Sequence, residues 1–137
     1  MHNRVLLGAA LLLSACTQRY AEPVNARSSA APEEAFECVK RQMNELGYKQ
    51  TSVDVDQRRI SGTKIDMKSR RSDSQFRRIL DKLEVEVAPH ADGQTSIEVR
   101  GRTFAEYTTQ RGPTEVEEKA SDEVQAATRQ ILERCRG

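Results

Sequence analysis

The chain has 137 residues, 36% of them apolar, 31% charged and 4% aromatic, with three Cys, two His and no Trp. That length suits one small domain. The 22 basic and 21 acidic side chains nearly cancel, which disfavours nucleic-acid binding driven by bulk positive charge. One of the two histidines is His2, inside a segment assigned below to an export signal, so the mature chain, with His90 alone, cannot supply a multi-His metal site.

Residues 1–4 form a polar start with one fixed positive charge, Arg4. Residues 5–13 are an uncharged run of Val, Leu, Ala and Gly, followed by Ser14, Ala15 and Cys16. A basic start, an apolar run and small residues before a cut site make an export signal, and residues 1–15 are expected to be removed. The run is too short to span a bilayer, which takes about 20 residues. An ordinary secretory signal with a chance Cys is the plain alternative. The tetrad Leu13-Ser14-Ala15-Cys16 resembles the lipobox of bacterial lipoproteins. The resemblance implies cleavage before Cys16, diacylation of its thiol and acylation of the new amino group. Acyl chains anchor through methylene groups worth about 0.8 kcal/mol each, and stable anchoring takes more than one chain. Thr17, rather than Asp, follows Cys16; by the same resemblance this points to the outer membrane, facing the periplasm.

Loss of residues 1–15 removes Arg4 and no acid, leaving a neutral mature chain. Residues 17–32 are rich in Ala, Ser and Pro without apolar periodicity. They are expected to form, with Cys16, a flexible tether over 16–32, and the globular domain is expected over 33–137. Cys38 and Cys135 remain, near the two ends of that domain. An exported compartment permits a disulfide between them. In the chain-entropy model, closing so long a loop contributes about 4 to 5 kcal/mol, less any strain. Two buried thiols are the alternative; no Cys-x-x-Cys motif points to redox work.

In chain order, Pro32-Glu33-Glu34 opens a helix, and Phe36, Val39, Met43 and Leu46 give it one apolar face to about residue 46, before Gly47. Residues 52–56 alternate, with Val53 and Val55 opposite Asp54 and Asp56. Residues 60–67 can form the return strand, with Gly62 as a bulge or a close approach. Residues 81–88 place Leu83, Val85 and Val87 inward. His90-Ala91-Asp92-Gly93 is a turn, and residues 95–107 supply a fourth strand with a break near Gly101. Thr114 with Glu117 fits a capping box, opening a second helix through Val116, Ala120, Val124, Ala127, Ile131 and Cys135. The expected fold is α+β, a two-layer sandwich: a four-stranded antiparallel meander covered on one face by two antiparallel helices. That topology sets the start of the first helix beside the end of the second, and so Cys38 beside Cys135.

Residues 68–80 carry the one local charge concentration. They fit either a short helix capped by Asp73 or an extension of the flanking strands; we take them as an exposed excursion with Phe76 partly buried. Lys68, Arg70, Arg71, Phe76, Arg77 and Arg78 are the candidate contacts for an acidic partner or for anionic head groups, against the plainer reading of a solvated loop. Nucleic acid is not expected, because aromatic residues are not interleaved with the basic ones. Asp54 and Asp56 form an Asp-x-Asp pair, which two ligands alone leave a weak cation site. No phosphate loop, nucleophile elbow or zinc spacing is present, so no catalytic residue, metal or cofactor is expected.

Met43-Asn44-Glu45-Leu46-Gly47-Tyr48, Asp56, Ile60-Ser61-Gly62-Thr63 and Leu83-Glu84-Val85-Glu86-Val87 form a pattern that resembles small envelope lipoproteins of unassigned function. More remotely it is similar to the repeated domains of BamC, a lipoprotein of the outer-membrane barrel-assembly machinery, although the Cys38–Cys135 pair is not part of that pattern. The resemblance implies a compact α+β domain that binds rather than catalyses. The expected role is a non-enzymatic binding or accessory subunit in envelope assembly or maintenance, with an envelope protein as partner. A carrier or sensor for a small apolar or anionic ligand is the second expectation, and an enzyme built from acids and Tyr the third.

Overall fold

A computed structural model of the chain describes residues 20–137. In chain order these form β1 (Val24–Ser28), α1 (Pro32–Glu45), β2 (Lys49–Asp54), β3 (Arg59–Asp66), β4 (Phe76–Pro89), β5 (Thr95–Thr109), β6 (Gly112–Glu118) and α2 (Asp122–Arg134). The class is α+β as expected, but the antiparallel sheet has six strands, not four. Its order is β1-β5-β4-β3-β2, and β6 also pairs with β5.

The two strands beyond the expected meander share one edge of β5. β6 pairs from Thr109↔Gly112 to Thr103↔Glu118. β1 pairs from Val24↔Val99 to Ser28↔Thr95. They run in the same sense, end to end, and leave Arg100, Gly101 and Arg102 of β5 without a strand partner on that side. β1 lies inside the segment expected to be tether, so the tether assignment over 24–28 is corrected. The physical reason is backbone pairing: the edge of β5 offers unpaired N–H and C=O groups, and a polar segment satisfies them as well as an apolar one.

α1 forms where the apolar spacing places it, with Pro32 in its first turn and Glu33 and Glu34 at its positive end. Gly47, at φ +85°, turns the chain out in the left-handed region that favours glycine. The second helix starts later than expected. Residues 112–118 are β6, and Thr114 pairs with Tyr107 across the sheet instead of capping a helix. The cap is Ser121, whose Oγ accepts from Val124 N at 3.1 Å. Glu115-Val116-Glu117 alternates, and a hairpin closed by Thr109 and Gly112 lets that alternation pair before the 3.6-residue period takes over at Val124. Because α2 continues along β5 in the sense of β6, the extra strand leaves the helices antiparallel: Cys38 meets Cys135, and Gln42 meets Gln130 farther along both helices.

Both helices lie on one face of the sheet. Val39 and Met43 of α1 and Val124 and Ile131 of α2 pack with Leu83, Ile97 and Val99, all fully buried. Two glycines permit the approach. A Cβ on Gly62 would stand 2.7 Å from Met43 Cε, and one on Gly101 would stand 2.9 Å from Thr128 Oγ1 and 3.3 Å from the Val124 carbonyl oxygen. Each helix thus rests on a strand position without a side chain. β2, at the far edge, is exposed along its whole length. Val53 and Val55, expected on a buried face, are exposed; Val55 lies past the end of β2 in the turn before β3.

Candidate functional site

Cys16, the signal over 1–15 and the first part of the tether lie outside the described residues. Cys38 and Cys135 are joined in a disulfide with Cα atoms 5.7 Å apart. It ties the first turns of α1 to the C-cap of α2, so the two ends of the helical layer are cross-linked over a separation of 97 residues.

The basic cluster expected over 68–80 does not form one surface. Residues 67–75 are the exposed excursion, and β4 begins at Phe76. Phe76 is partly buried and meets Tyr107 edge to face at 5.8 Å. Arg71 lies 5.0 Å from the Phe76 ring centroid, donates to Tyr107 Oη at 3.0 Å and makes a two-pronged pair with Glu118, one prong at 2.6 Å. Its hydrogen bond to Glu118 raises the guanidinium pKa further, and the same bond holds the Glu118 carboxyl below its ordinary value of 4.5. Arg77 and Arg78 sit at a β-bulge and share Glu106, at 3.8 and 3.1 Å. Arg70 donates to the Met67 carbonyl oxygen at 2.5 Å. Lys68 is exposed; its backbone N–H donates to Asp66 at 2.8 Å. Glu106 and Glu118 therefore neutralise three of the five cations. Their sequence signal was cross-strand: both lie on strands paired with β4 or its neighbour, and the second of those strands was expected to be helix.

A buried polar group at the start of α2 was not foreseen. Asp81 is 4% exposed. It accepts from Thr103 Oγ1 at 2.6 Å and from Ser121 Oγ at 2.9 Å. Ser121 N donates to Thr103 Oγ1 at 2.8 Å. Each hydroxyl thus takes an N–H and gives its own proton to the carboxylate, so the network caps α2 and fastens it to β4 and β5. The alternation that turns Leu83 inward also turns Asp81 inward, and that was the available signal. Near it Tyr48 is 3% exposed, with a hydroxyl that has no hydrogen-bond partner among the described residues. Burial first, then the charges of Asp81 and Glu123, raise its pKa.

Asp54 and Asp56 do not assemble a cation site. Asp54 Oδ1 accepts from Gln57 N at 3.0 Å and shapes the turn before β3. Among the described residues no three His, Cys, Asp or Glu side chains are grouped to hold a metal ion. His90 stands in the β4–β5 turn beside Asp92 and Arg27.

The sheet face away from the helices is a charge mosaic. Arg59, Ser61, Glu84, Glu86, Glu98 and Arg100 line a shallow cleft of about 310 Å³ on it, with Arg59 and Glu86 3.4 Å apart. At the edge between β1 and β6, residues Tyr20 to Pro23 line a cleft together with Arg100 and Arg102. The link from β6 to α2, at Lys119 and Ala120, lines the same notch. No known family profile matches the chain, and a comparison with curated proteins finds no relative.

Proposed function

We propose that the protein is a bacterial lipoprotein anchored through Cys16 in the outer membrane, facing the periplasm, and that it acts there as a binding or accessory subunit in envelope assembly or maintenance. The observation that carries this reading is cysteine usage. One Cys ends a lipobox-like tetrad behind an export signal, and the other two are bridged, as suits an oxidising compartment. The likeness to small envelope lipoproteins, and more remotely to BamC domains, belongs to the same proposal.

The open sheet face is the contact surface this reading favours. It is built of paired strands and carries both signs of charge, so it can select a partner by complementarity rather than by apolar burial. The excursion over 67–75 is a weaker candidate, since its Arg71 is spent on Glu118. A carrier role is not favoured: Val39, Met43, Leu83, Ile97 and Ile131 fill the space between helices and sheet, where a small ligand would have to sit.

A photo-crosslinking residue in place of Ser61, in the cell, tests the surface. A discrete adduct to one envelope protein is expected, absent when the probe replaces Gln57 in the turn before β3. Equal, diffuse labelling from both positions contradicts the reading.

A further inference from the structure

Positive charge without a partner collects at the notch where the chain enters the sheet. Three adjacent clefts along this edge are lined by Arg27, Arg100, Arg102, Lys119, Arg129 and Arg136. The acids among their lining residues are Glu22, Glu117 and Glu133. Arg27 is held by Asp92 at 3.5 Å and Arg102 by Glu117 at 3.4 Å. No ion pair engages Arg100, Lys119, Arg129 or Arg136 among the described residues, whereas Arg71, Arg77, Arg78 and Lys82 on the far half of the sheet all have carboxylate partners. The Nε atom of Arg100 is buried without a hydrogen-bond acceptor among the described residues. Tyr20 and Val24, 39% and 47% exposed, stand on the same edge.

Chain length limits where this edge can be. Tyr20 follows Cys16 by four residues, and an extended chain spans at most about 3.6 Å per residue, so roughly 14 Å separates them at most. β2, four strand spacings away across the sheet, is about 19 Å farther from the β1 edge. An acylated Cys16 therefore brings the bilayer surface to the notch before any other edge. Cationic side chains with exposed Tyr beside them suit such a surface, the cations for phosphates and the aromatic for the interface.

We propose that the β1–β6 edge rests on an anionic phospholipid surface, with Arg100, Lys119, Arg129 and Arg136 on headgroup phosphodiesters and Tyr20 at the interface. This rests on the reading of Cys16 as a lipid anchor. It turns the domain so that the sheet stands on its edge, with the helix layer on one side and the open sheet face on the other both reaching into the periplasm.

The test uses the full mature lipidated protein in vesicles of phosphatidylcholine with phosphatidylglycerol and a nitroxide-headgroup lipid. Attenuation of backbone amide signals is the readout. The account expects Gly101, Lys119 and Arg129 to be attenuated several-fold more than Gln57 and Arg58. It also expects that contrast to fall in vesicles of phosphatidylcholine alone and in the triple variant Lys119→Glu, Arg129→Glu, Arg136→Glu, which still floats with vesicles and keeps the parent amide spectrum elsewhere. Equal attenuation at both edges in a protein that floats with the vesicles overturns the proposal and leaves the anchor standing. A contrast unchanged by the triple variant overturns it too, because the tether alone then sets the orientation. A protein that stays in the aqueous phase overturns the anchor and this proposal together.

Discussion

The Tyr48 hydroxyl is buried and unpartnered among the described residues, and a buried unsatisfied polar group costs stability. Tyr48→Phe is therefore expected to raise the unfolding free energy by up to about 1 kcal/mol in urea titration. The raised pKa of Tyr48 favours the neutral ring in the fold, so that contribution is complete below pH 10 and is lost as pH rises beyond it. The variant should lose less stability than the parent above pH 10. Glu118 works at the other end of the scale. Its carboxyl is held low by Arg71, so its contribution is present above about 4.5 and lost as pH falls through that range. Glu118→Gln should lower stability at pH 7 by roughly 0.5 to 1 kcal/mol, since the pair is partly exposed. It should also flatten the acid-side loss between pH 5 and 3, measured by thermal melts across that range. Gly101→Ala meets a backbone carbonyl of α2 as well as a flexible side chain. It is expected to cost about 1 to 3 kcal/mol as overpacking, measured by the same urea titration. Gly62 and Gly101 were legible in the sequence as interruptions of alternating strands. Their reason, a helix lying on each, needed the second layer. Tyr48 carried no signal, because a Tyr after Leu-Gly fits a buried or an exposed ring equally.

Elements were legible where one period had no rival. α1 and the strand pair around Asp92-Gly93 follow from spacing and turn chemistry. β6 did not, because Val116, Ala120 and Val124 satisfy the helical step of four while Glu115-Val116-Glu117 satisfies the strand step of two. What decides is tertiary: the free edge of β5 beyond Thr103 takes a strand, and the Asp81–Thr103 pair fixes Ser121 as the cap. β1 hid for a related reason. Its sequence, Val-Asn-Ala-Arg-Ser, has little apolar content, and its pairing depends on β5 being there. The disulfide was legible from two independent directions, the two cysteines left in an exported chain and the antiparallel helices that bring them together. Its worth is measurable at this scale: reduction, or Cys38→Ser with Cys135→Ser, is expected to lower the unfolding free energy by about 4 kcal/mol. The fold should persist at neutral pH if the helix–sheet core supplies the rest, as amide dispersion in the reduced protein would report.

At the scale of the molecule, β1 changes what the proposed anchor would do. With the sheet beginning at Val24, the segment between Cys16 and the fold is much shorter than residues 16–32. Under the proposed anchorage the domain is held near the membrane instead of ranging from it. The split of the basic cluster among Glu106 and Glu118 moves the candidate contact surface from the 68–80 segment to the open sheet face and the β1 edge. That outcome could not be read from local charge, because the neutralising acids come from strands far along the chain. The proposed anchor, its compartment and the orientation at the membrane all depend on what becomes of Cys16. The most direct measurement is the mass of the N-terminal peptide of the native protein isolated from membrane fractions. A peptide that begins at Cys16 and carries a diacylglyceryl thioether and an amide-linked acyl chain is expected, abolished by Cys16→Ser. An unprocessed chain beginning at Met1, or a cleaved chain with a free Cys16 thiol recovered in the soluble fraction, would contradict it.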